Sequence, residues 1–308
     1  MCIKERNASD STCKKLLRDK GCFADLCNYA FFQGRQVIQP EELVSRENDL
    51  STLIGKVDKP TEIKRYRDVV RKASIHGEYV IIGVEHQSTF DEKMIFRILN
   101  YDATIYINQV ESKQEIYPVG SFVFYTGDKE WKSPETLKET LKNIPPEMEP
   151  YINDWRLPVV ELKTMDARKL TNQRLKEVVE ISQSMFAGNY DELRNNRKIE
   201  TESFMMAATF TRTKIKREDL PEGDEINMCE AMDRLFQRFE NQGMEKGKII
   251  GFEKGKSDTL KEQLKVKLGT LSSSLEKQLT NTSLEKLNQL TLNIFNVTSE
   301  EDVLRIIN

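Results

Sequence analysis

The spacing of apolar residues predicts a helix near the start of the chain. Apolar side chains recur at helical intervals from Cys22 onward, at Phe23, Leu26, Cys27, Ala30 and Phe31. Gly34 follows as a stop signal. The pattern predicts an amphipathic helix that carries Asp25 off its apolar stripe.

A continuous apolar run predicts a buried strand. Residues 79–84 read YVIIGV, preceded by the turn-like HGE at 76–78 and followed by EHQ at 85–87. Such a run is typical of a strand that is buried on both faces. The preceding stretch, RYRDVVRKAS at 65–74, is a candidate for a polar neighbouring strand.

Helical and strand patterns then alternate. Residues 91–109 place apolar side chains near helical spacing, with Lys93 and Arg97 four residues apart on another face. SFVFY at 121–125 predicts a strand, and LPVVEL at 157–162 predicts an edge strand. The order of helix, strands, helix and strand predicts an α/β sandwich.

After about residue 165 the pattern becomes helical throughout and rich in Lys, Glu, Leu and Arg. We therefore place a domain seam there, and predict an α/β domain over residues 8–165, a helical region over 166–240 and a helical tail over 241–308. Leucine stripes at 260, 264, 268 and 271, and at 284, 287 and 290, indicate helix pairing within the chain or between chains.

Glycines punctuate this tail at positions 243, 247, 251 and 255. A four-residue period turns by only about 40° per step on a helix, so the glycines form one slowly turning stripe. Each costs about 1 kcal/mol relative to alanine inside a helix. Close packing against another helix and a flexible hinge are both open explanations.

Composition and charge narrow the function classes. With 38% hydrophobic and 31% charged residues, the chain is typical of a soluble globular protein. No stretch approaches the roughly 20 apolar residues of a membrane span, and the start lacks the apolar core of a signal peptide, so we expect a cytoplasmic protein without a membrane partner. The net charge of −3 means that DNA binding would need a local basic patch.

The cysteines add no metal or disulfide chemistry. The five cysteines are odd in number and contain no CxxC pair. A disulfide framework and a zinc site are therefore not expected.

The predicted buried strand turns polar at Glu85. Because side chains alternate along a strand, Glu85 and Gln87 are expected on one face and His86 on the other. Asp68 lies on the neighbouring strand candidate, and carboxylates on adjacent strand ends provide a point where a divalent metal can bind. The alternative is that Val84 ends the strand and residues 85–87 are its solvated exit.

Several phrases carry a family resemblance over residues 8–165. They are FADL at 23–26, VIQPEEL at 37–43, RDVV at 67–70, IGVEHQ at 82–87, RILNYDA at 97–103, and FYTG at 124–127 with EW at 130–131. With these phrases the chain resembles the Rpn group of recombination-promoting nucleases, also described as putative transposases, in the PD-(D/E)XK nuclease superfamily.

The resemblance implies a restriction-endonuclease-like core with the order αβββαβ, followed here by the all-helical C-terminal region. It implies that Asp68 and Glu85 hold Mg²⁺, with Mn²⁺ as a substitute. The superfamily pattern has a lysine where this chain has Gln87, a replacement usual in the Rpn group. Glutamine can orient water or phosphate by hydrogen bonds but supplies no positive charge. Asp25 is a further, supporting acid in this interpretation.

DNA is the partner that the resemblance implies. We assign its contacts to a basic cluster around Asp68 and to the second helix: Lys64, Arg65, Arg67, Arg71, Lys72, Lys93 and Arg97. For each of these side chains a solvated charged face is the alternative. The two histidines, His76 and His86, are not expected to be catalytic.

Two functions are therefore considered. The first is a Mg²⁺-dependent DNA endonuclease whose catalytic residues are Asp68, Glu85 and Gln87, linked through the family to recombination or mobile elements. The second is a scaffold or DNA-binding protein that keeps the nuclease fold without turnover and acts through an oligomerising helical tail. No residue of the sequence demands transposase chemistry.

Overall fold

A computed structural model describes residues 3–44, 69–113 and 115–307 of the protein. The chain divides into two compact units, Met1–Arg234 and Leu235–Asn308. In the first unit a four-stranded mixed sheet is covered by helices on both faces, and the second unit is built from helices. The predicted α/β class with a helical C-terminal region is confirmed at this level.

The first unit contains both helices and strands. Its helices are α1 (Ile3–Arg18), α2 (Lys20–Phe32), α3 (Met94–Glu111), α4 (Leu137–Thr140), α5 (Gln173–Ala187), α6 (Tyr190–Leu193), α7 (Thr201–Thr211) and the start of α8 (Met228–Leu268). Its strands are β1 (Val69–Ile75), β2 (Glu78–Gln87), β3 (Val119–Tyr125), β4 (Val159–Glu161), β5 (Lys198–Glu200) and β6 (Glu225–Asn227). The second unit continues α8 and adds α9 (Ser273–Thr280), α10 (Leu284–Asn293) and α11 (Glu300–Ile307).

The predicted turn at 76–78 joins β1 and β2 into an antiparallel hairpin. Ile75 pairs with Glu78, and the register runs to the pair Val69 and Val84. The two residues between the strands, His76 and Gly77, have φ values of 53° and 90°. Positive φ at both positions is the requirement of a type I′ turn, whose twist matches that of the strands.

The remaining strands extend the sheet in the order β1-β2-β3-β4. β2 pairs with β3 in parallel, β3 pairs with β4 in parallel, and α3 forms the crossover between β2 and β3. The edge strand predicted at 157–162 is confirmed as β4. The carboxyl ends of β2, β3 and β4 therefore lie along one border of the sheet.

Strand alternation assigns the two faces of the sheet to two cores. Val84, Phe122 and Phe124 face the larger core, which α1, α2, α5 and α7 complete. Val123 and Tyr125 face the opposite side, where they pack with apolar residues of α3. A sheet that is covered on both faces explains the continuous apolar run of β2.

α2 corrects one expectation. The predicted helix and its stop are present, with Gln33 and Gly34 both at positive φ. However, every residue from Cys22 to Asn28 is buried, including Asp25, which is 2% exposed. The helix contacts α1, α5 and β4, so neighbours on several sides leave no solvated stripe over this stretch.

The expectation of helices alone beyond residue 165 is wrong. β5 and β6 form a small antiparallel sheet in which Ile199 pairs with Ile226. Each of these three-residue strands has one buried residue, so the sequence contains no alternation long enough to predict a strand.

The unit boundary also differs from the predicted seam. Leu175 and Val178 of α5 and Phe210 of α7 belong to the same core as Phe122 and Phe124 of the sheet. The region after residue 165 is thus needed to cover this face of the sheet, and the boundary lies at Arg234 and Leu235.

In the second unit, the leucine stripes pair within the chain. Leu260 and Leu264 of α8 share a core with Leu275, Leu287 and Leu290 of the following helices. Pairing within the chain is therefore confirmed, and pairing between chains stays a prediction.

The glycines at 243, 247, 251 and 255 lie inside α8, which continues through all of them. Among the described residues, a Cβ atom at any of the four would meet no neighbour within 4 Å. These glycines therefore do not pack closely against another described helix of the chain.

Among the described residues, no helix combines the length and the apolar content that crossing a bilayer requires.

Candidate active site at the carboxyl end of the central sheet

β2 does not end at Val84. The strand continues through Gln87, and Glu85, His86 and Gln87 are 4%, 2% and 4% exposed. The interpretation of these residues as a solvated exit is therefore wrong. A buried carboxylate at a strand end needs partners, because transferring an unpaired charge out of water is very costly.

Glu85 has its partners on the α3 side of the sheet. Arg97 donates from Nη2 to Oε1 of Glu85 at 2.7 Å, and from Nη1 to Oδ2 of Asp91 at 3.1 Å. Gln87 donates from Nε2 to the same Oε1 at 3.3 Å. Glu85 and Gln87 thus share one face and touch, as strand alternation predicts.

The ion pair changes the protonation equilibrium of the arginine. Burial would lower the pKa of Arg97, but the hydrogen bond with Tyr101 and the charge of Glu85 outweigh it, so the pKa is raised. Arg97 is therefore a permanent cation beside the candidate acid.

His86 points to the opposite face. Its Nδ1 lies 2.9 Å from Oδ1 of Asp10 on α1, and its Nε2 lies 2.8 Å from Oγ1 of Thr126. The imidazole packs near the ring of Phe210, with 5.9 Å between centroids. These contacts connect β2 to α1 and to the residue after β3, which is a structural role.

A row of polar side chains crosses the sheet at the same border. Gln87 pairs with Tyr125, and Tyr125 pairs with Glu161, so the three residues lie side by side on β2, β3 and β4. Paired residues share a face of the sheet. Oε2 of Glu161 accepts a hydrogen bond from the backbone N–H of Trp131 at 3.2 Å.

The sequence interpretation missed this row, because Tyr125 and Glu161 read as ordinary members of apolar strands. Burial raises the pKa of Tyr125, the carboxylates of Glu161 and Asp128 raise it further, and Arg212 lowers it. Only the sheet register brings these residues beside Gln87.

Comparison with protein families identifies this region. Residues 61–209 match the model of the family described as "Putative transposase, YhgA-like". This segment, which we call the YhgA-like segment, is similar to that family. No match was found among curated proteins or among solved structures. The predicted resemblance is thereby confirmed, and the YhgA-like segment contains Glu85, Gln87, Arg97, Tyr125 and Glu161.

Only some of the basic residues assigned to DNA contacts lie within the described part of the chain. Lys64, Arg65, Arg67 and Asp68 lie outside the described residues, although they lie inside the YhgA-like segment. Arg71 donates from Nη2 to the carbonyl oxygens of Leu17 and Arg18 at the end of α1. That geometry stabilises the helix terminus, since cations near the last carbonyls are favourable.

Lys72 and Lys93 have different environments. The ammonium of Lys72 lies over the rings of Tyr117 and Tyr79, 3.7 and 4.1 Å from their centroids. Lys93 is exposed and precedes α3. Contacts with DNA stay a prediction for both.

Asp25 is held by hydrogen bonds that connect α2 to the start of α5. Its oxygens accept from the backbone N–H groups of Thr171 and Asn172 at 2.8 and 2.9 Å, and from Nε2 of Gln36 at 3.0 Å. These bonds position the N-terminus of α5, where Asn172 is the capping residue. Asp25 also precedes the YhgA-like segment.

The donor atoms suit a hard divalent cation in kind. Glu85 offers a carboxylate and Gln87 an amide oxygen, the ligand types that Mg²⁺ prefers. In the described part of the chain, no three His, Cys, Asp or Glu side chains converge as a metal cluster. Arg97 occupies Oε1 of Glu85, so a cation there would compete with the guanidinium.

Proposed function

We propose that the protein is a Mg²⁺-dependent DNA endonuclease of the PD-(D/E)XK type, with Asp68 and Glu85 as metal-binding acids and Gln87 as a positioning group. The observation that carries the proposal is the buried contact between Glu85 and Gln87 at the carboxyl end of β2. It lies inside the YhgA-like segment, whose family description points to transposition-related chemistry.

Asp68 is proposed as the first acid on the basis of the family resemblance, and it directly precedes the described strand β1 in the sequence. Val69, the residue that follows Asp68 in the sequence, pairs with Val84, the residue that precedes Glu85.

Each side chain of the proposed site would have its own chemical role. A bound Mg²⁺ would neutralise phosphate charge and lower the pKa of a coordinated water. Glu85 and Asp68 would hold it, and the amide of Gln87 would orient water or a phosphate oxygen. Because Gln87 carries no charge, Arg97 is the cation of the described site that can face the phosphate once it leaves Glu85.

The test compares isosteric variants on supercoiled plasmid DNA with Mg²⁺ or Mn²⁺. Glu85→Gln and Asp68→Asn should each lower the cleavage rate by about a hundredfold or more, because several kcal/mol of metal-mediated charge stabilisation are lost. Glu92→Gln is the matched control, since Glu92 is an exposed acid in the loop that follows β2. Wild-type cleavage no faster than that of the Asp68→Asn, Glu85→Gln double variant would refute the proposal.

The ion pair between Arg97 and Glu85 favours a second candidate function, a nuclease fold without turnover that acts through its helical tail. In this case Arg97 balances the buried charge of Glu85 permanently. Calorimetry would then show no binding of Mg²⁺ or Mn²⁺, and removal of residues 240–308 would dissociate a defined oligomer.

A further inference from the structure

Three aromatic rings connect the candidate site to its surface. The rings of Tyr125 and Trp131 lie 5.1 Å apart between centroids, and those of Trp131 and Phe90 lie 5.3 Å apart, both in edge-to-face geometry. Exposure increases along the series, since Tyr125 is 2% exposed, Trp131 is half-buried and Phe90 is 41% exposed. We call these three residues the aromatic ladder.

The inner end of the ladder is part of the polar row. Tyr125 pairs with Gln87 in the sheet, and the backbone N–H of Trp131 donates to Glu161. The ladder therefore begins beside the groups proposed to act on the phosphate.

The outer end is tied to the same site by a second route. Phe90 directly precedes Asp91, whose carboxylate accepts from Arg97, and Arg97 donates in turn to Glu85. Two ion pairs thus fix the backbone next to Phe90 relative to the buried acid.

Exposed charged residues lie close in sequence to Phe90 and Trp131. Lys93 follows Phe90 by three residues and Lys132 follows Trp131 directly, and both are exposed. They are interspersed with the exposed acids Glu92 and Glu130. Mixed charge means that the rings, more than electrostatic attraction, would determine what binds here.

We propose that Phe90 and Trp131 form a stacking site for the base of an unpaired nucleotide next to the scissile phosphate. Aromatic rings bind any nucleobase through its π face, but a base inside a duplex offers no free face, so the substrate would be single-stranded DNA or DNA with an extruded base. The inference rests on the proposed function for its substrate, DNA, and adds the structure of that substrate.

The experiment measures binding, so that it does not depend on cleavage. In a Trp155→Phe background Trp131 is the single tryptophan, and its fluorescence reports stacking directly. The probes are a 12-nucleotide oligothymidine and an oligonucleotide of the same length with abasic sites. Each is titrated into the full-length protein in a buffer that contains Ca²⁺. The variants are Phe90→Ala and Phe90→Tyr, with Phe96→Ala, a 45% exposed ring on α3, as the control.

Stacking on an aromatic side chain gives the expected pattern. Phe90→Ala should weaken oligothymidine binding by about 5- to 100-fold, Phe90→Tyr should retain it, and the abasic oligonucleotide should bind all variants equally. Oligothymidine should quench Trp131 fluorescence, and the abasic probe should not. Thermal unfolding confirms that each variant is folded.

The outcomes separate this inference from the proposed function. Equal affinity of wild type and Phe90→Ala for oligothymidine would overturn the stacking site, even if the protein cleaves DNA. Phe90-dependent binding by a wild-type protein that cleaves no DNA would uphold the stacking site and refute the nuclease.

Discussion

Arg97 and Glu85 form an ion pair of 2.7 Å in which the carboxylate is almost fully buried and the guanidinium is about one-third exposed. The arginine has a second acid, Asp91, at 3.1 Å, and Glu85 also accepts a hydrogen bond from the amide of Gln87. The pair is therefore asymmetric, because Arg97 keeps its ion pair with Asp91 when it leaves Glu85.

This asymmetry predicts that Arg97 competes with metal. Replacing it in Arg97→Met removes the competing charge while keeping an apolar stem, so Mn²⁺ should bind at least about tenfold more tightly, which corresponds to about 1.4 kcal/mol. Isothermal titration calorimetry measures the affinity directly. Arg156→Met, which removes an exposed surface pair with Glu135, is the control and should change nothing. Unchanged affinity in Arg97→Met would show that Arg97 does not compete with the metal.

Gln87 supports Glu85 by one hydrogen bond and is expected to contribute to both turnover and folding. Gln87→Leu keeps the size of the side chain but loses this bond. We expect a loss of about 1–3 kcal/mol in the free energy of unfolding and a drop of tenfold or more in the cleavage rate at saturating Mg²⁺. Urea unfolding and single-turnover cleavage give the two quantities. Wild-type turnover in Gln87→Leu would exclude Gln87 from the chemistry.

Gly127 is required by the position of Tyr125. A Cβ atom at residue 127 would overlap the hydroxyl and ring atoms of Tyr125. Gly127→Ala should therefore displace the tyrosine and cost about 1–3 kcal/mol, as overpacking does. Denaturant unfolding checks the cost. Full stability in Gly127→Ala would mean that the ring can move without loss.

The opposite result is expected at Gly247. Nothing lies within 4 Å of a Cβ atom there, so Gly247→Ala should stabilise α8 by up to about 1 kcal/mol. If two copies of α8 pack through the glycine stripe, the added methyl group would instead separate them. Sedimentation velocity of both proteins distinguishes the cases, and a smaller species in the variant would assign the glycines to an oligomer interface.

The buried thiol of Cys27 is expected to make the free energy of unfolding depend on pH in the alkaline range. Complete burial raises the pKa of Cys27 well above its ordinary value, although Arg71 lowers it in part. Above about pH 8.5 the unfolded chain releases this proton and the folded protein retains it, so the free energy of unfolding falls by up to about 1.4 kcal/mol per pH unit.

Urea unfolding between pH 7.5 and 10 measures this slope. The decline should be steeper for wild type than for Cys27→Ala, while Cys229→Ala, at a half-buried position, should follow wild type. Parallel declines in wild type and Cys27→Ala would contradict the assignment.

The sequence predicted the elements with long, regular patterns. The run at 79–84 and the HGE turn gave β2 and its hairpin, and alternation correctly placed Glu85 and Gln87 together and His86 opposite. Short strands such as β5 lacked a pattern to recognise. The environment of Asp25 was misjudged because the position of a residue on a helix does not reveal how many neighbours surround that helix.

Contacts between residues far apart in the chain could not be predicted from the sequence. Glu161 joins Gln87 through the register of two parallel strand pairs, and Arg97 reaches Glu85 from a helix that follows the strand. Neither relationship leaves a local signal, because each depends on how distant segments pack. The family resemblance pointed to Asp68 and Glu85 as candidate acids, but it did not predict that Glu161 and Arg97 lie beside the site.

The two-residue turn at His76 and Gly77 also determines the strand register at the far end of its hairpin, next to Glu85. If one residue is added there and a two-residue turn forms again, β1 shifts by one position, so that Val70 instead of Val69 faces Val84 and the side chains of β1 exchange faces. The length of a distant loop thus determines which residue of β1 pairs with Val84, directly before Glu85, and insertions in this exposed loop should be tolerated less well than substitutions.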